Sequence, residues 1–142
     1  MIQAHPTNKG TGIEIYGDYG DLSNLYETVR KIAHRSEEYD ATFKGQFQIL
    51  MNFAYEIRKA YSNERLYQKM SYDSDHDVYY FGFQYLWTDL LFTISALRYN
   101  AGYVPLTELD QATLYLLEFF TKKALIEFDP QGAENIQHFI GQ

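Results

Sequence analysis

The four histidines of this chain, His5, His34, His76 and His138, fall in four separate segments. A zinc site or an acid–base centre needs imidazoles and carboxylates converging at short helical or hairpin spacing. His34 and Glu38 stand four apart, but no second histidine completes an H-E-x-x-H pair. Asp73-Ser74-Asp75-His76-Asp77 begins like a calcium loop. Such a loop requires glycine at its sixth position and a bidentate glutamate at its twelfth. Val78 and Gln84 stand there instead, so the segment reads as a solvated acidic hairpin tip. Gly17-Asp18-Tyr19-Gly20 has the outline of a phosphate cradle before a helix. It lacks the lysine of a P-loop, and Asp18 and Asp21 put negative charge where a phosphate would sit. No G-x-S-x-G elbow presents a serine, and the absence of cysteine removes thiolate nucleophiles, disulfides and cysteine-bound zinc. No metal site, cofactor or catalytic residue is therefore expected, and the chain reads as a non-enzyme.

What remains is one cation and a surplus of rings. On a 100° wheel Arg98 falls within about 40° of Trp87, Leu91 and Ile94, on an apolar stripe. A buried guanidinium must be paired. Glu14, Asp18 and Asp21 are the expected partners, from outside its own helix. Two alternatives stand beside that one. Arg98 snorkels to water near its helix C-terminus, or it contacts an anionic ligand in a pocket where tyrosine or Trp87 stacks.

The chain holds 14 Tyr, 10 Phe and 1 Trp. Fourteen phenols cannot all be inside, because each buried hydroxyl needs a partner. Some must be surface contacts, and Tyr16 and Tyr19 flank the acidic turn Asp18–Asp21. Helices carrying Phe92/Tyr99 and Phe119/Phe120 have apolar residues on more than one side. A homo-oligomer, most simply a two-fold dimer through them, is expected.

The elements that position these groups follow from periodicity. Met1 to Gly10 reads as an irregular arm. In Thr11–Tyr16, Ile13 and Ile15 alternate with Glu14 and Tyr16, which predicts a strand near Gly12–Gly17 with one buried face. Leu22, Leu25, Val29 and Ile32 recur at helical spacing. Phe43, Phe47, Leu50, Ala54, Ile57 and Tyr61 step by four and three, predicting a helix over about 42–62. Two strands are expected near Arg65–Tyr72 and Asp77–Tyr85, joined by the acidic tip. A third helix covers Trp87 to Asn100, with Phe92 and Ala96 off its main stripe and much of its surface buried. Thr107 and Asp110 form a capping-box pair opening a long helix lined by Leu109, Ala112, Leu116, Phe120 and Ala124. Asp129-Pro130 starts a last short helix. The reading is α+β: a single helix-rich domain, residues 1–142, with about five helices on a small three-stranded sheet.

Length and charge narrow the class. A chain of 142 residues is long enough for one core without staples. No apolar stretch reaches a membrane span, and Met1 to Gly12 has no signal-like apolar run, so the cytoplasm is the expected setting. Twelve basic against nineteen acidic residues give a net charge of −7. The scattered cations argue against duplex nucleic acid, and the acidity favours a partner with a basic surface.

The segments TGIEIYGDYGDLSNLYETV and GFQYLWTDLLFTISALRYNAGY resemble a family of small, uncharacterised bacterial and phage-borne proteins. The resemblance runs over most of the chain and implies no activity and no site residues. Chains of this size and acidity are also similar in kind to toxin-immunity and phage anti-defence proteins. The functional expectation is thus a non-enzymatic binding protein that neutralises a protein partner, using Tyr16, Asp18, Tyr19 and Asp21. The alternative is a binder of a small anionic ligand or nucleotide signal, using Trp87 and Arg98.

Overall fold

The computed structural model describes residues 1–37, 44–73 and 76–141. The alternation at Ile13 and Ile15 does form a strand, β2 (Gly12–Gly17), with both isoleucines fully buried. It is not the first strand. Gln3–Pro6, expected as part of an irregular arm, forms β1, antiparallel to β2 with Ala4 opposite Ile15. Four residues are too few to show a period of two, and Pro6 is tolerated because it stands at the end of an edge strand. Gly10, at φ +73°, closes the loop between them.

α1 (Tyr19–Glu37) and α2 (Lys44–Tyr61) follow, then the hairpin β3 (Leu66–Asp73) and β4 (His76–Leu86). The sheet order is β1-β2-β4-β3, every neighbour antiparallel. β4 is interior, as its aromatic run predicts. Of the acidic tip, residues 74 and 75 and the side chains of 73 to 77 lie outside the described residues. α3 (Trp87–Ala101), α4 (Glu108–Phe128), α5 (Pro130–Ile136) and one 3₁₀ turn (Gln137–Phe139) complete the chain. The fold is α+β, with five α-helices and a four-stranded sheet among the described residues.

One sheet face carries Ile13, Ile15 and Phe83, and α1, α2 and α3 pack on it. Leu22, Leu25, Val29 and Ile32 of α1 and Leu50, Ala54 and Ile57 of α2 are fully buried, as their spacing requires. Each such leucine, valine or isoleucine contributes about 1.5–3 kcal/mol of burial. Phe53 adds edge-on contacts to Phe83 and Tyr85 at 5.6 and 5.1 Å. The opposite sheet face is polar, and there Glu14 accepts from Tyr16 and Gln84.

α4 runs along β1 and α1, and of its expected face Phe120 and Ala124 are buried and Leu116 is half-buried. Leu109 and Ala112 point outward, and Thr113, Leu114, Leu117, Glu118, Thr121 and Leu125 are buried. Thr113 and Thr121 donate to their own helix at Leu109 and Leu117, each at 2.7 Å, so their methyl sides pack as hydrophobes do. The Thr107–Asp110 capping box forms as expected. Asp110 also reaches α1, accepting from Thr28 Oγ1 at 2.8 Å and from Lys31 Nζ. Burial pushes this carboxyl up, but the hydrogen bonds from Lys31, Thr107 and Thr28 together outweigh it and hold the pKa at about 2. Phe92, expected to share in burial, is 68% exposed. No described helix is long and apolar enough to cross a membrane.

Candidate functional site

α1 and α2 pack side by side and leave a groove of about 320 Å³ between their outward faces. Tyr26 of α1 and Gln48, Met51, Asn52, Tyr55 and Arg58 of α2 line it. The spacing is helical: Gln48, Met51, Tyr55 and Arg58 step by three, four and three, one stripe beside the buried one. At one end the groove runs into a tyrosine cluster. Tyr61 meets Tyr19 edge-on at 5.4 Å and Tyr26 edge-on at 5.9 Å. The Tyr61 phenol is pushed up from its ordinary pKa, first by burial and then by the nearby Tyr26 and Tyr19 hydroxyls, with Arg58 opposing. These groups therefore share one electrostatic neighbourhood, and Tyr61 stays a neutral donor. The cations Arg58 and Lys59 lie 5.8 and 5.3 Å from the Tyr55 ring centre.

The surface can do recognition chemistry. Rings offer area at small entropic cost, phenols and amides offer hydrogen bonds, and Arg58 offers positive charge. Tyr19 is 61% exposed and Tyr55 45%. Among the described residues no group of three or more histidines or carboxylates is placed to hold a metal.

The residues expected to form a site are dispersed. Tyr19 belongs to the cluster. Tyr16 lies on the polar sheet face, where it donates to Glu14 at 3.2 Å, and its phenol is pushed up first by burial and then by that carboxylate. Asp18 and Asp21 cap α1 reciprocally. Asp18 accepts from the Asp21 N–H at 2.7 Å, and Asp21 from the Asp18 N–H at 3.0 Å. Asp21 also meets the Met1 ammonium at 3.0 Å. Much of that acidic charge is engaged locally.

Trp87 and Arg98 stand three helical turns apart on α3 and do not share a pocket. Trp87 stacks on Phe128 at 5.6 Å. Arg98 is paired, but not with Glu14, Asp18 or Asp21. Its Nε and Nη2 both donate to Glu118 Oε1 on α4, with Nε at 2.8 Å, and its guanidinium lies 4.9 Å from the Tyr115 ring centre. The last turn of α3 meets the middle of α4 through this pair, whereas Asp18 and Asp21 are taken up by each other's N–H groups and Glu14 by Tyr16 and Gln84.

A match to a family model covers residues 2–142 and is described as a domain of unknown function, DUF6904. The chain belongs to this family. Neither the curated proteins nor the solved structures contain a match to it. Membership spans nearly the whole chain, so the α1–α2 groove lies within the family domain. Sequence reasoning missed Tyr26, Tyr55, Arg58 and Tyr61 as a group because it followed the buried stripes. The second stripe, Tyr19/Tyr26 on one helix and Met51/Tyr55/Arg58 on the next, was the available signal.

Proposed function

We propose that the chain is a non-enzymatic, cytoplasmic binding protein that engages and neutralises a protein partner, in the manner of immunity or anti-defence proteins. The observation that supports this reading is the convergence of Tyr19, Tyr26, Tyr55 and Tyr61 with Arg58 on one helix-pair face. Tyrosine and arginine dominate binding hot spots. The net charge of −7 steers toward a partner with a basic surface, and Arg58 fixes register against an acid or carbonyl at the contact itself. The test compares capture by the wild-type protein and by a Tyr19→Ala/Tyr55→Ala/Arg58→Ala variant at low and high salt. Loss of a salt-sensitive partner in the variant is expected, and equal capture by both proteins refutes the reading.

A second reading has its own observation. The groove places Asn52 and Gln48 near Tyr26, Tyr55 and Arg58, a set suited to a small planar anion such as a nucleotide. A nucleotide panel in a thermal-shift assay tests it. A ligand at a hundredfold excess over its Kd adds about 2.7 kcal/mol. An upward shift that disappears in Arg58→Ala favours this reading over the first.

A further inference from the structure

The α3 and α4 surfaces turned to solvent carry a set of rings that the fold does not cover. Phe92 and Tyr99 on α3 and Tyr115 and Phe119 on α4 are each more than half exposed. The two helices are joined at this face by Arg98, which pairs with Glu118 and lies over Tyr115. Ile126, seven residues beyond Phe119, extends the α4 side, and Ser95 lies between the rings of α3. We propose that this face is a docking surface for a second copy of the chain.

Area supports that occupant. A ring of about 150–250 Å² exposed by half or more presents on the order of 100 Å². Four rings with Ile126, Ala112 and the flanking stems give roughly 500–700 Å² per copy. That falls at and just above the upper end of the largest apolar patch on an ordinary monomer, about 300–600 Å². Two such faces bury roughly 1,000–1,400 Å² together, the lower part of the range for specific association.

Charge decides between a copy and a basic partner. Two copies each at −7 repel wherever acidic surface meets acidic surface. On this face the central carboxylate, Glu118, is buried and matched by Arg98, and the exposed carboxylates Asp89 and Glu108 stand at the ends, in the first turns of α3 and α4. A neutral centre gives a basic partner no steering advantage, and it lets a like-charged copy approach. A two-fold arrangement closes by placing the same rings on both sides. The face borders the α1–α2 groove at Asn52, which lies beside Phe92 and also lines that groove, so the control variant is placed away from both, on β3.

The experiment is sedimentation velocity and light scattering of the intact chain from about 1 to about 100 µM, the range in which an interface of this size associates. The expected result is a species of twice the 16.7 kDa chain mass at the upper concentrations. Phe119→Glu and Tyr99→Glu place a carboxylate at the contact in both copies. Each should raise the dissociation constant at least about 30-fold per copy, as hot-spot losses do. Tyr67→Glu, at a half-exposed tyrosine on β3, should leave it unchanged. Where a charged variant fails to fold by circular dichroism, Ser95→Cys answers instead. In a chain without cysteine, a flexible bis-maleimide should cross-link Ser95→Cys far faster than Ser62→Cys. A monomer at 100 µM, a dimer insensitive to both face variants, or equal cross-linking at the two cysteines overturns the proposal.

Discussion

Removing the Arg98 side chain should expose how the α3–α4 junction is held. Glu118 is buried, its side chain 6% exposed, and both Arg98 donors converge on its Oε1. In Arg98→Ala the carboxylate stays inside with its cation gone. Breaking a buried pair in this way costs roughly 3–5 kcal/mol. Arg98 itself is 22% exposed, so water entering the vacated space hydrates part of the carboxylate. The lower end, about 3 kcal/mol, is the expected loss. For a chain of this length that is a fall in Tm of about 10 °C. Glu118→Gln removes the charge and keeps the shape, and it leaves an arginine that water can reach. About 1–2 kcal/mol is expected there. The double variant should be well short of additive, with a coupling of about 2 kcal/mol, because each change removes the same interaction. Arg98→Lys keeps the charge but loses the planar fork and the contact with Tyr115, and should fall between. Urea unfolding of the four proteins measures all of this. An Arg98→Ala protein that melts within about 1 °C of wild type refutes the pairing argument. So does additivity of the single changes to within about 0.5 kcal/mol.

Three further outcomes are expected. Asp110 titrates near 2 when folded and near 3.8 in its ordinary state, so its bonds stabilise the fold fully above pH 4. That contribution, on the order of 2 kcal/mol, is lost as pH falls toward 2, and Asp110→Asn should flatten this part of the urea midpoint against pH. Gly82→Ala should cost about 1–3 kcal/mol in thermal melting, because a β-carbon there would lie 2.5 Å from the Tyr16 ring and 2.8 Å from the Ile15 carbonyl oxygen. The ring can swing away and the carbonyl cannot, so Tyr16→Ala should rescue it only in part. Ile2→Ala should cost about 2–4 kcal/mol, since Ile2 is 3% exposed, and a loss under about 0.5 would mean that this residue does not belong to the core.

Where one face of an element is apolar and the other polar, period alone identifies the inside. That covers Ile13 and Ile15 on β2, the Leu22–Ile32 stripe on α1 and the Leu50–Ile57 stripe on α2, all fully buried. It also covers the Thr107–Asp110 box and the Asp129 cap, which are local hydrogen bonds written in adjacent residues. β1 is four residues long, so its burial comes from β2 and α4, and a local pattern could not announce it. The partner of Arg98 lies 20 residues on, in another helix, and only packing selects Glu118 from the nineteen carboxylates.

α4 is the instructive error. Of its expected face Phe120 and Ala124 are inside, but Leu109 and Ala112 are outside, and the buried side also includes Asp110, Thr113, Glu118 and Thr121. Hydropathy ranks those four as surface residues. Each is satisfied by a bond that a wheel does not display: two threonines to their own helix, Asp110 to α1 and its own cap, Glu118 to α3. A helix that buries polar groups in this way has apolar residues left over, and they face solvent. The same packing that hid the polar part of the core face from sequence reading therefore left the rings of Tyr115 and Phe119 exposed. On this chain the polar interior of α4 and the apolar exterior of the α3–α4 face are one feature. Their energetics are opposed: the interior holds if its bonds are complete, and the exterior is stable in water to the extent that something covers it.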